Sequence, residues 1–282
     1  MNQLVTAFAI VATLLLAQGC TSSAKSKETS AATTSFHSKH SLDGMEMPEM
    51  SSTTQAKLAS SQAFTPYTPV PLVIDIQNLD GKVVTSFDRF QEKLMHLIVV
   101  SDNLQFFNHL HPTYEGSGRF EVKASFPQSG SYTIFSDYKP TGQKEQVSVL
   151  KTQVPGASLP PPAIDLSRTK VFANTEVNLT SSNPTLKAGQ ETTLTFDLRE
   201  KFNNQPLADL QPYLGEKGHL VILRQSSTLI AADYIHAHAA KDTPASRVHF
   251  MTSFPQPGRY KLWGQFNRNG KIVVADFWIN VL

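Results

Sequence analysis

Cysteine is almost absent from this chain. Cys20 is the only one among 282 residues, which excludes an intramolecular disulfide. A surplus of charge of one sign is lacking too. The 25 Lys and Arg nearly balance the 23 Asp and Glu, and a net charge of +2 makes no case for nucleic acid as a partner, because that demands a concentrated basic face. The apolar run from Leu4 to Ala17 is too brief to span a bilayer comfortably as a mature helix. Hydrophobic residues at 40% and charged residues at 17% describe an ordinary globular protein, and the length suffices for two domains, each with its own core. What is abundant leans towards β structure: 17 Phe, 17 Pro and 14 Gly, with many Thr and Val.

The chain opens with that apolar run and ends it in Leu15-Leu16-Ala17-Gln18-Gly19-Cys20. This resembles the lipobox of bacterial lipoproteins, in which the cysteine becomes the lipidated N-terminus. The resemblance implies a signal peptide over residues 1–19, lipidation of Cys20 and an extracytoplasmic protein anchored in a membrane by its acyl chains. Thr21, where Asp would retain the protein at the inner membrane, points to the outer membrane under the same resemblance. Two features depart from the pattern: no Lys or Arg precedes the apolar run, and Ala17 stands where Leu is commoner. An uncleaved signal anchor is the alternative.

Residues 20–65 are rich in Ser, Thr, Ala and Lys and read as a disordered tether. Within it lie His37, His40, Met45, Met47 and Met50. Imidazole and thioether suit soft or borderline ions, Cu(I) above all, so these are candidate tether ligands. From Pro66 the pattern changes to short alternating strands with Gly and Pro punctuation. Val70–Asn78 ends in an Asp80-Gly81 turn, Phe120–Phe126 alternates strictly, and Pro127–Gly130 turns the chain into Tyr132–Tyr138. A proline-dense spacer over 155–163 separates this first domain, 66–154, from a second, 164–282. In the second, Leu207–Gly215 reads as a loop with room for one helical turn. Strands at such intervals argue for a β-sandwich in each.

The two units repeat one another. Ser125-Phe126-Pro127-Gln128-Ser129-Gly130-Ser131-Tyr132 returns 128 residues later as Ser253-Phe254-Pro255-Gln256-Pro257-Gly258-Arg259-Tyr260. Phe126, Tyr132, Phe254 and Tyr260 read as core or corner residues.

The stretch Leu94–Pro112, LMHLIVVSDNLQFFNHLHP, reads as a β-hairpin turning at Ser101-Asp102-Asn103. Residues two apart in a strand share a face, so His109 and His111 project together, and a turn centred between Asp102 and Asn103 sets His96 opposite His109. The second unit repeats the trio as His219, His236 and His238, with its turn centred between Ser227 and Thr228 and His219 opposite His236. Each trio is a candidate metal site, and three imidazoles with an open fourth position fit copper or zinc. Methionines in the tether favour copper. Asp102 is a candidate supporting ligand, but its counterpart is Gln225, not a carboxylate. His249, whose counterpart is Glu121, reads as a surface histidine.

The two histidine hairpins, each followed by FPQxGxY, resemble secreted bacterial proteins with immunoglobulin-like domains of the YtkA-like and FixH-like type. The resemblance covers residues 70–150 and 185–282 and departs in one place, with Ala239 where the first unit has Pro112. It implies an all-β chain of two tandem immunoglobulin-like β-sandwich domains after a lipidated tether, and an association with copper or heavy-metal handling. The expected function is a membrane-anchored lipoprotein that sequesters copper, or passes it between donor and acceptor proteins. The alternative is an adhesion or scaffold module with structural histidines. Catalysis by a three-histidine zinc or copper site is disfavoured, because no general base has a place in both hairpins.

Overall fold

The computed structural model describes residues 52–60, 63–157, 160, 163–241 and 244–282. Apart from one short 3-10 turn at Ala231–Asp233, every regular element among them is a β-strand. In the first domain, β1 (Thr54–Leu58), β2 (Val70–Asn78), β5 (Thr113–Gly116) and β6 (Arg119–Ala124) form one antiparallel sheet in the order β1-β2-β6-β5. The facing sheet runs β4-β3-β7-β8, from β3 (Met95–Ser101), β4 (Phe107–Leu110), β7 (Gly130–Tyr138) and β8 (Gln146–Val154). The strand β1 is a correction, because residues 20–65 read as an unstructured tether. Thr54–Leu58 instead pairs with Ile74–Asn78, and alternating Thr54 and Ala56 are buried. Thr and Ala at period two cover a sheet edge well enough, though such a segment looks polar in composition.

The second domain repeats the plan. One sheet is ordered β15-β11-β10-β9, from β9 (Thr169–Phe172), β10 (Thr175–Ser181), β11 (Glu191–Glu200) and β15 (Arg247–Ser253). In the other, β16 (Gly258–Arg268) pairs with β17 (Lys271–Val281) on one edge. Its other edge takes β12 (Leu210–Gln211) and β13 (His219–Arg224), with β14 (Tyr234–His238) beyond β13. The helical turn expected in 207–215 is not there; Leu210 and Gln211 pair with β16 instead.

Alternation along the strands fills a core between the sheets of each domain. Leu72, Ile74 and Phe120 meet Leu97, Val99 and Ile134 in the first. Leu194, Phe196 and Phe250 meet Leu220, Ile222 and Leu262 in the second. Tyr132 and Tyr260 are corner residues: each hydroxyl donates to a backbone carbonyl four residues upstream, Gln128 at 2.8 Å and Gln256 at 2.7 Å.

A third apolar cluster joins the domains. All seven residues of β3 are buried, so its outward side chains, Ile98 and Val100, do not face water. They pack with Leu104 and Phe135 against Val221, Leu223, Leu229, Trp263 and Trp278 of the second domain. The interface is reciprocal. Phe107 stacks on Trp263 with ring centroids 4.8 Å apart, and the equivalent pair in the repeat, Tyr234 on Phe135, stacks at 5.1 Å. Two copies of one fold thus meet through the same face, the arrangement of a two-fold dimer built into one chain.

Candidate metal centre

The histidines lie on that shared face. Both hairpins pair two residues out of the register the sequence suggests, with each turn centre one residue later. In the first, the Ser101 hydroxyl accepts the Phe106 N–H at 2.9 Å and Leu104 takes a left-handed φ of 57°, giving a longer loop. His109 therefore opposes Ile98, not His96. In the second, buried Asp233 accepts hydrogen bonds from Arg224, Ser226 and the Ile230 N–H, and His236 opposes Val221 while His238 opposes His219. A slip of two preserves every side chain's face. The histidines stay together.

Each central histidine is seated by a tight turn just upstream. Gln91 and Glu92, at φ 47° and 64°, set the edge of Phe90 against His96 with centroids 4.7 Å apart. Leu214 and Gly215, at φ 55° and 79°, set Tyr213 against His219 at 5.4 Å. His96 Nε2 donates to the Phe90 carbonyl at 3.2 Å, which leaves its Nδ1 facing His109 Nε2 at 3.0 Å. In the second domain His219 Nδ1 faces His236 Nε2 at 3.2 Å.

His96, His109 and His111 each bring one ring nitrogen within 4.8 Å of the other two, a spacing that one metal ion could bridge. The cluster does not stop at the domain boundary. His96 and His236 have centroids 5.4 Å apart, and the equivalent pair His219 and His109 are 5.9 Å apart. The sequence leaves open whether the two trios stand apart; the structure brings them into contact. Five histidines form one cluster across the interface, while His238 is exposed, stacks on His236 and meets the Gln91 side chain.

Burial disfavours the charged form of His96, His109, His111 and His219. It lowers His96 to about 2, His219 to about 3 and His111 to about 4, with neighbouring positive groups adding to the effect. His109 is held well below its ordinary value, and His238 is lowered, again by burial first. Neutral imidazole is the form that ligates metal. The donor set fits a first-row ion in another respect. His111 Nε2 is buried without a hydrogen-bond partner, and His219 Nε2 has the Leu214 carbonyl near it but outside hydrogen-bonding geometry. Such atoms cost free energy unless something accepts their lone pairs.

One family model matches residues 50–154 and again residues 169–282, described as Domain of unknown function (DUF8832). The chain belongs to this family. Its two DUF8832 copies are the two sandwiches. No curated protein matches the chain. Among solved structures it is similar to the FdeC adhesin of Escherichia coli, at 14% identity over 82% of this chain and 65% of that one, with a TM-score of 0.26. Invasin, a bacterial integrin-binding protein, gives 10% identity over 81% and 39%, with a TM-score of 0.25. A two-domain fibronectin type-III segment of chicken tenascin gives 12% over 80% and 98%, with a TM-score of 0.24. The chain spans less than two thirds of FdeC and of invasin. Likeness this weak carries no functional argument.

Two residues of the DUF8832 site escaped the sequence reading. Asp137, on β7, accepts from His236 Nδ1 at 3.0 Å and from the Tyr234 hydroxyl at 3.1 Å. Gln265, at the matching position on β16, takes the Nδ1–H of His109 at 3.1 Å. Their signal was an acid or amide at equivalent places, 128 residues apart, in two strands rich in aromatic and aliphatic residues, YTIFSDY and YKLWGQF. Asp102 has no place in the cluster; it accepts from the Thr133 hydroxyl at 2.8 Å. His249 lies on β15, in the other sheet of its domain, half-buried and opposite Thr195. Cys20, His37, His40, Met45, Met47 and Met50 lie outside the described residues.

Proposed function

We propose that this protein binds a transition-metal ion, copper in preference to zinc, in the histidine cluster between its two domains. It acts as an extracytoplasmic, lipid-anchored protein that sequesters the ion or hands it to a partner. The observation that carries the reading is the convergence of five imidazoles from both copies of a duplicated fold on one patch, with ring nitrogens of His96, His109 and His111 close enough to share an ion. Interfaces between β-sandwiches are ordinarily sealed with apolar side chains, and burying polar rings there costs free energy that a bound ion would offset. His96, His109 and His111 would hold the ion, His219 and His236 would extend the site, and copper would supply Cu(I)/Cu(II) exchange. Binding is the role proposed; the one carboxylate in the cluster, Asp137, has its Oδ2 engaged by His236 and Tyr234. The lipid anchor at Cys20 and ion capture by the His and Met residues of 37–50 belong to the same proposal.

A second reading has an observation of its own. The same residues join the domains through His109–Gln265 and His236–Asp137 hydrogen bonds beside two aromatic stacks, as a rigid scaffold or adhesion module would require. One experiment separates the two. The full chain is loaded with copper, desalted and assayed for metal, beside a His109→Ala/His236→Ala variant with the wild-type circular dichroism spectrum. Metal binding predicts stoichiometric copper in the wild type and its loss in the variant. A wild type that emerges without metal leaves the scaffold reading.

A further inference from the structure

We infer that each domain sets the ligand histidine of the other, with Asp137 and Gln265 as positioning residues that make the two halves of the cluster unequal. The inference rests on the metal reading and adds to it where the difference between the halves comes from.

A carboxylate accepts and does not donate, so the contact of His236 Nδ1 with Asp137 Oδ2 requires the proton on Nδ1. His236 Nε2 is then the nitrogen that faces His219 Nδ1, at 3.2 Å. Asp137 belongs to the first domain and His236 to the second. The arrangement is a carboxylate–histidine pair ready for metal, of the kind that orients and strengthens an imidazole ligand. The tyrosine hydroxyl of Tyr234 on the same oxygen fixes the carboxylate in place.

The repeat places Gln265 of the second domain on His109 of the first. With its carbonyl oxygen towards His109, it too puts the proton on Nδ1 and bares Nε2, which then faces the bare Nδ1 of His96 at 3.0 Å. Two lone pairs that close repel unless a cation lies between them. An amide, unlike a carboxylate, can turn over. Its NH2 would then donate to His109 Nδ1, and His109 Nε2–H would donate to His96, so the Gln265–His109–His96 hydrogen bonds form without metal. Gln265 Nε2 is buried and has no partner in the first orientation, so nothing else holds the amide there. The Gln265 half therefore has a metal-free state in which His109 Nε2 itself carries the proton, whereas Asp137 keeps His236 Nε2 an acceptor whether His219 Nδ1–H or an ion faces it. Asp137 thus prepares its histidine for metal more strongly than Gln265 does, and neither histidine is set unless the domains are docked.

Cu(II) is titrated into the full chain in two backgrounds. His109→Ala leaves the His219–His236 half to report, and His236→Ala leaves the His96–His109–His111 half. Asp137→Asn, close in shape, is expected to weaken binding in the first background by about 10- to 100-fold, the usual effect of removing such a partner, and to leave the second within about 2-fold. Gln265→Glu is expected to tighten binding in the second background and leave the first unchanged, a gain that mere structural damage does not produce. Equal losses in both backgrounds, or no change in either, overturn the inference while leaving the metal reading intact. Absence of copper from the wild type overturns both. Should Asp137→Asn not fold, the Gln265→Glu result decides alone.

Discussion

His96 and His219 lie ring over ring, their centroids 6.0 Å apart and their planes 27° from parallel, although 123 residues separate them in sequence. They are equivalent members of the repeat, and each is at most 1% exposed. Their contact marks where the two copies of the fold meet, and the other cross-domain pairs are arranged reciprocally around it.

Stability should fall with acid. The folded-state values of His96, His219 and His111, about 2, 3 and 4, lie below the ordinary 6.5, so between those limits the unfolded chain binds more protons than the folded one. Folding free energy is then unaffected above pH 6.5 and is lost as pH drops from 6.5 towards 4. Each such histidine contributes up to about 1.4 kcal/mol per pH unit. Urea unfolding at pH 7.5, 6 and 5 should show a falling midpoint, and a midpoint flat across that range would show these rings are not buried neutral.

Trp263→Ala should loosen the interface without emptying either core. The ring is 2% exposed and stacks on Phe107, so the cost is expected at about 3–5 kcal/mol. Small-angle scattering should register a larger radius of gyration, with the β-sheet signal in circular dichroism retained. An unchanged radius would mean the domains stay docked without this contact.

Tyr132→Phe and Tyr260→Phe each remove a hydroxyl-to-carbonyl bond at a corner, Gln128 in one domain and Gln256 in the other, and the first also removes the acceptor of the Gln128 N–H. Each should cost about 1 kcal/mol. The losses should add in the double variant, because the two corners share no partners. Coupling well beyond about 0.5 kcal/mol would contradict this.

Copper should raise the melting temperature, and chelator should restore the metal-free value. A ligand at 100 times its Kd that binds only the folded state adds about 2.7 kcal/mol. Scanning calorimetry with and without the ion tests it, and the His109→Ala/His236→Ala variant should show no shift.

Cys20→Ser should release the protein from membranes into the soluble fraction, and removal of residues 21–50 should reduce Cu(I) uptake while leaving the ion in the folded domains. Continued sedimentation of the Cys20→Ser protein with membranes speaks against lipidation there.

Much of the fold could be read directly. Period-two alternation in Phe120–Phe126, the Asp80-Gly81 turn and the repeated FPQxGxY corners each act through local geometry, so a single chain displays them. Hairpin register could not. It hinged on a serine hydroxyl in one loop and a buried aspartate in the other, and neither announces itself by composition. The strand at Thr54–Leu58 was hidden for a similar reason: Thr and Ala look like tether until a neighbouring strand supplies the missing hydrogen bonds.

Alone, the sequence determined that the chain is a duplicated β protein and that three histidines recur on one face of each copy, because periodicity and repetition are properties of a string. Only the tertiary structure decided that those faces meet. The apolar sequence of β3, buried on both sides, could have been covered by a loop, a partner or a second copy, and which of these excludes water is a property of the packed surfaces. That choice turned two separate trios into one cluster and brought Asp137 and Gln265 to histidines 99 and 156 residues away.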